Sequence, residues 1–219
     1  MTHPFRTVII AAAAALVLAG APATAPLALR APAKSGGKSL RECLAVRHST
    51  RQFAPDPLPA GALDQILWAA DGINRDDGKR RTHPSAFECY PVALHVVERT
   101  RISRYDPAAH ALVPHAAAPG APADLRAAAL GPSSFTEAPA VLVLTVDLDA
   151  FPEKAAAAMR PVWAHAECGA IGQNVYLACA DLGLGTVFAA AGSPEKIART
   201  LGLAARETPA YVMPIGTPR

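Results

Sequence analysis

The chain has 219 residues but only four cysteines, little charge and no hydrophobic run long enough for a comfortable membrane span. Cys43, Cys89, Cys168 and Cys179 include no C-x-x-C pair, which argues against a zinc cluster. Cys168 and Cys179 fall on one helical stretch about 16 Å apart, too far to bridge each other. All four read as small buried apolar residues. A net charge of +3 is too small to imply a nucleic-acid partner. With 51% hydrophobic and 18% charged residues, the chain can bury a packed core, and wholesale disorder is excluded. There is no internal repeat and no G-x-S-x-G nucleophile elbow.

The N-terminus has the layout of a secretory signal peptide. "MTHPFR" is short and basic, "VIIAAAAALVLAG" is an apolar run of 13 residues, and "APATA" ends on an A-x-A pattern at Ala23 to Ala25. An Arg-Arg pair and a lipobox cysteine are both missing, so twin-arginine and lipoprotein routes have no support. Residues 1–25 are therefore expected to be removed on export to the periplasm. Residues 26–37, rich in Pro, Ala and Gly, are expected to form a linker, and 38–219 the folded domain.

Leu40, Cys43, Leu44 and Arg47 have helical spacing, and Pro59 can open a second helix with an apolar face of Leu63, Ile66, Leu67 and Ala70. Residues 74–82 read as a polar loop, 91–97 as a strand, 104–115 as a small hairpin, and 116–126 as a stretch of variable conformation. The nearly continuous apolar run 140–147 fits a central strand covered on both faces. Residues 163–182 give the strongest helical pattern, with Gly169 and Gly172 permitting close approach. A strand at 186–190, a helix capped by Ser193 and Pro194, and a strand at 210–216 complete an α+β domain.

The chemistry concentrates in "RHSTRQF", residues 47–53. His48 and Ser49 are adjacent, so their side chains diverge on a regular helix or strand and make a poor nucleophile–base pair. His165 and Cys168 could touch on a helix, yet the surrounding face is apolar. Arg47 and Arg51 can grip an anion by charge-assisted bonds, with Ser49 or Thr50 adding a neutral donor. A solvated helix end carries the same residue types, and composition does not separate the two readings.

The stretch "R-H-S-T-R-x-F" resembles the N-terminal phosphate motif of the FMN-dependent nitroreductases. The likeness continues in order through "LWAADGINRDDGKRRTHPSA", "YDPAAHAL", "DLRAAA", "GAIGQNVYLACADLGLGTV" and "IGTP", over roughly residues 40–219. It is similar to the branch that includes azoline-oxidising dehydrogenases. The resemblance implies a nitroreductase-like mixed sheet wrapped by helices, assembled as a homodimer with FMN in the interface. It assigns Arg47, His48, Ser49 and Arg51 to the FMN phosphate and ribityl chain. Pro84, Ser85 and Ala86, with Asn74 and Arg75, would lie at the isoalloxazine edge of the partner's flavin. Ala191 and Gly192 would turn a backbone N–H to flavin N5, and Arg219 would reach the phosphate. Gln173 and Asn174 would sit on the dimer-forming helix. No catalytic side chain and no metal are expected, because the flavin carries two electrons between a small-molecule donor and acceptor in alternating half-reactions. A second reading, a flavin- or ligand-binding module without turnover, rests on Glu88, which stands where relatives place Asn.

Overall fold

A computed structural model describes residues 25–115, 120–130 and 137–219. The signal-peptide expectation at 1–25 lies almost wholly outside the described residues. Among those described, no helix is long and apolar enough to cross a membrane.

The strands are β1 (Leu27–Ala28), β2 (Val92–Val97), β3 (Ile102–Asp106), β4 (Ala111–Pro114), β5 (Ala140–Asp147), β6 (Gly185–Thr186), β7 (Ala189–Ala190) and β8 (Glu207–Gly216). They form one sheet in the order β1-β4-β3-β2-β5-β8-β6, with β7 also on β8. The paired strands are antiparallel, and the parallel element is a bridge from Ser49 to Thr186. β5 is central, as its apolar run predicts. Successive side chains of a strand point to opposite faces, and here both faces are covered. Leu142, Leu144 and Val146 join a core with α2 (Ala62–Asp71) and α4 (Arg160–Asp181). Val141 and Val143 join a second core with α3 (Ala121–Leu130) and α5 (Pro194–Leu201). The result is an α+β fold of three layers, helix pair, sheet, helix pair.

α1 (Leu40–Val46) starts with a capping box. Ser39 Oγ accepts from Glu42 N, and the Glu42 carboxylate accepts from Ser39 N. α4 begins at Arg160, three residues earlier than its apolar spacing suggests. Gly172 is needed there, since a Cβ would stand 2.6 Å from the Phe188 ring.

Several expectations are corrected. Residues 121–130 form a helix, because Ala121, Leu125, Ala128 and Ala129 present one buried face; residues 116–119 lie outside the described chain. α2 is opened by Gly61, in a left-handed conformation, and not by Pro59. Ser193 precedes α5 without a side-chain capping bond. The strand expected over 186–190 is split into β6 and β7. The stretch 26–37 is laid against the domain. Leu27 and Ala28 pair with β4, Arg30 N donates to Asp64 (3.1 Å), Ala33 N donates to Gln65 (2.8 Å), and Lys38 Nζ caps the α4 carbonyl ends of Ala180 and Asp181. Cys43, Cys168 and Cys179 are buried and free, while Cys89 is half-buried. Burial pushes the Cys168 thiol up to about 12 and raises Cys179 further, so neither is a nucleophile.

Candidate functional site

The anion-binding candidates lie at the end of α1, against the edge of the sheet. Arg47 terminates α1, and its guanidinium sits 4.9 Å from the centroid of the Tyr176 ring on α4. The chain then runs beside β6, where Thr50 N donates to Thr186 O at 2.8 Å. Gly185 makes this approach possible, since a Cβ there would lie 2.5 Å from Thr50 Oγ1. Further on, Ala54 N donates to Thr217 O (2.9 Å) and Arg219 N to Gln52 O (3.1 Å). Arg47, Ser49, Arg51 and the backbone of Arg219 therefore share one strip. The Arg219 side chain itself pairs with Glu137 at 3.3 Å.

Hydrogen bonding assigns roles within the strip. His48 Nδ1 lies 2.8 Å from Val46 O and must donate to it, which leaves Nε2 to accept from Thr50 Oγ1 at 3.4 Å. The ring is thus turned onto its own chain, and no Ser49–His48 dyad exists. Tyr176 Oη accepts from Phe188 N (2.9 Å) and lies 2.9 Å from Ser49 Oγ. In the arrangement that uses the phenol proton, Tyr176 donates to Ser49, and Ser49 keeps its own proton for an outside acceptor. Thr186 Oγ1 is buried with no partner among the described residues. A cavity of about 180 Å³ opens here, lined by Arg47, His48, Thr50, Tyr176, Gly183 and Thr186.

Beyond Thr186 the same edge becomes aromatic and apolar. Phe188 stacks on Tyr211 at 4.3 Å, and His165 meets Tyr211 edge-on at 5.6 Å. The amides of Ala191 and Gly192 are already donated within the chain, to Ala210 O (3.0 Å) and Ala129 O (3.2 Å). Bonded and non-bonded pairs alternate in an antiparallel ladder. With Ala191 bonded to Ala210, the exposed Ala190, opposite Tyr211, turns its N–H outward. The outward amide of this edge therefore belongs to Ala190, next to the pair 191–192 expected from the sequence.

The second set of candidates sits elsewhere on α4. Asn74 and Arg75 lie in a hairpin closed by Asn74 N to Arg80 O and Thr82 N to Gly72 O; it touches α4 where Asn174 Nδ2 donates to Thr82 O at 3.3 Å. Gln173 is exposed one residue earlier on the helix. Pro84, Ser85 and Ala86 follow, over a sealed ionic network that sequence reasoning missed. Asp71 accepts from Arg81 Nη1 (2.7 and 2.9 Å) and from His83 Nε2 (2.8 Å), and His83 Nδ1 lies 3.9 Å from Glu167. Burial raises the Glu167 carboxyl, opposed by the Ser85 hydrogen bond and the nearby His83. Its Oε1 has no hydrogen-bond partner among the described residues. On α4 the first set meets Tyr176, while the second meets Asn174 through Thr82 and comes near Glu167 through His83. Among the described residues no cluster of His, Cys, Asp and Glu could hold a metal ion.

This layered sheet, with helices on both faces, has the architecture of solved nitroreductases. The family model for the nitroreductase family matches residues 44–217, and the chain belongs to that family. That membership makes it an oxidoreductase. It is 31% identical, over 81% of its length and 90% of the relative's, to a nitroreductase predicted in Methanocaldococcus jannaschii. The crystal structure of a predicted nitroreductase from Ralstonia eutropha JMP134 is 32% identical with a TM-score of 0.80, covering 89% of this chain and 90% of that one. The Escherichia coli microcin synthetase McbBCD complex shares the fold at 20% identity and a TM-score of 0.69, over 79% of this chain and 70% of that one.

Proposed function

We propose that the protein is an FMN-dependent oxidoreductase, acting on small molecules in alternating half-reactions as a homodimer with two composite sites. The observation that carries the reading is the strip itself. It combines Arg47, a Ser49 hydroxyl bonded to Tyr176, a buried Thr186 hydroxyl with no partner among the described residues, and an outward Ala190 amide beside the Phe188–Tyr211 stack. An anionic phosphate needs fixed cationic and neutral donors, and a flat heteroaromatic ring needs apolar walls with a few backbone bonds. The donor set fits FMN. Arg47, Ser49 and Arg51 would hold its phosphate end, and the Ala190 amide and Phe188 its ring end. Bound FMN would supply two-electron transfer at N5, taken from a donor and passed to an acceptor.

The remaining residues would bind, orient and exclude water. The second set, Asn74, Arg75 and Pro84–Ala86, would complete the site of the other chain. The outward face of α4 favours such pairing, because Val162 and, just before the helix, Met159 are exposed apolar residues and Gly169 leaves open space for a close helix–helix approach. Export remains part of the proposal, with residues 1–25 as the removable segment.

The test is direct. The purified protein should be yellow, with one FMN per chain after reconstitution, and should sediment as a dimer. A protein that takes up no FMN refutes the reading. An FMN-loaded protein that no donor reduces would instead favour the binding module without turnover.

A further inference from the structure

We propose that Phe87 sets substrate specificity, as the aromatic wall on which a planar, acidic aromatic compound lies; the inference rests on the FMN-site reading above. Three non-glycine residues within four positions adopt left-handed backbone: Phe87 (φ 59°), Glu88 (φ 53°) and Tyr90 (φ 48°). Bulky side chains rarely do so, because Cβ crowds the following carbonyl. Strain of this kind persists only where the surroundings over-determine it, and it collects at functional positions.

The surroundings here do over-determine the loop. Ser85 Oγ accepts from Tyr90 N (2.9 Å), Glu88 N donates to Ser85 O (3.1 Å), and Cys89 Sγ donates to Ala86 O (3.1 Å). Arg81 lies 4.3 Å over the Tyr90 ring, and the phenol oxygen accepts from Arg81 N. For Tyr90 the strained backbone has a return in these contacts.

For Phe87 the return inside the chain is small. Its residue is 47% exposed, touching Trp163 edge-on at 5.3 Å. The residue is held exposed by a backbone that a phenylalanine resists. Lys154 Nζ lies over one face of the ring, 5.9 Å from its centroid. An aromatic ring seated at Phe87 would therefore have a cation within reach of an acidic substituent. The neighbouring Glu88 is exposed. The position fits a role at the composite site, since Phe87 directly follows Pro84–Ala86, the segment read as facing the other chain's flavin.

The experiment uses FMN-loaded dimer and inert ligands, so that no turnover is needed. Binding of benzoate, cyclohexanecarboxylate and benzamide is read from the perturbed flavin absorbance. Benzoate should bind best. Phe87→Gly, which relieves the left-handed strain, should keep its FMN and melt no lower than the parent, yet bind benzoate at least tenfold more weakly. Phe87→Leu keeps the bulk and should lose benzoate's advantage over cyclohexanecarboxylate, and Lys154→Ala its advantage over benzamide. FMN-loaded parent that ignores benzoate, or Phe87→Gly that binds it like the parent, overturns the proposal while leaving the cofactor reading intact. Phe87→Gly that dissociates the dimer without changing benzoate affinity makes Phe87 a subunit contact and also overturns it. Absence of FMN uptake by the parent removes both readings.

Discussion

Toward the C-terminal end of α4, Arg47 and Ser49 each contact Tyr176 beside a cavity; toward the N-terminal end, Asp71, His83 and Glu167 are buried next to the 84–90 loop. The first group is fixed by backbone bonds to β6 and the C-terminal strip, and its side chains gather on Tyr176. The second spends its charges on itself and leaves the loop above it to face outward. One end borders an open cavity and, on the proposed reading, receives the cofactor. The other is organised to hold a shape that the chain would not adopt unaided.

That contrast can be broken by substitution. The largest effect is expected for Asp71→Ala, which strips both Arg81 and His83 of a carboxylate with only 3% of its side chain exposed. Removing one partner of a buried ion pair costs about 3–5 kcal/mol. Urea unfolding should show this loss, with FMN affinity in the surviving folded fraction little changed. A drop in FMN affinity larger than the drop in stability would mean the two ends are not separable.

Arg47→Ala should do the reverse. FMN binding should weaken by about 1.5–3 kcal/mol, the scale of a hydrogen bond to a charged group. Equilibrium dialysis reads the affinity, and the melting temperature should barely move. An unchanged dissociation constant would take Arg47 out of the site.

The smallest effect concerns Glu167. Burial raises its folded value above the ordinary 4.5. The fold therefore holds the proton more firmly than the unfolded chain does. That stabilising contribution is present below pH 4.5 and is lost as pH rises through the raised folded value. Glu167→Gln mimics the protonated form and should flatten this fall in stability with pH. A pH profile identical to the parent's would show that Glu167 does not titrate differently in the fold.

Much of the frame was legible in the chain. The apolar run of β5 and the i+3/i+4 spacing of α4 each report a burial that depends on local order. The basic stretch at 47–51 was legible for the same reason, since its residues are neighbours in sequence. The sealed network was not. Asp71, His83 and Glu167 are held together by α2 packing on α4, and nothing local marks a carboxylate as buried. α3 escaped because alanines make most of its buried face, and alanine carries little hydrophobic contrast. The outward amide at Ala190 follows from the phase of the ladder with β8, which a one-residue error inverts.

The stretch before Lys38 has a practical consequence. A shortened chain that begins at Lys38, as a linker reading would advise, uncovers the backbone of His110–Leu112 along the outer margin of the sheet. An open strand margin is a template for the next molecule. Such a truncation should stay folded but self-associate on concentration, and solubility trials with this protein should keep every residue from Pro26 onward.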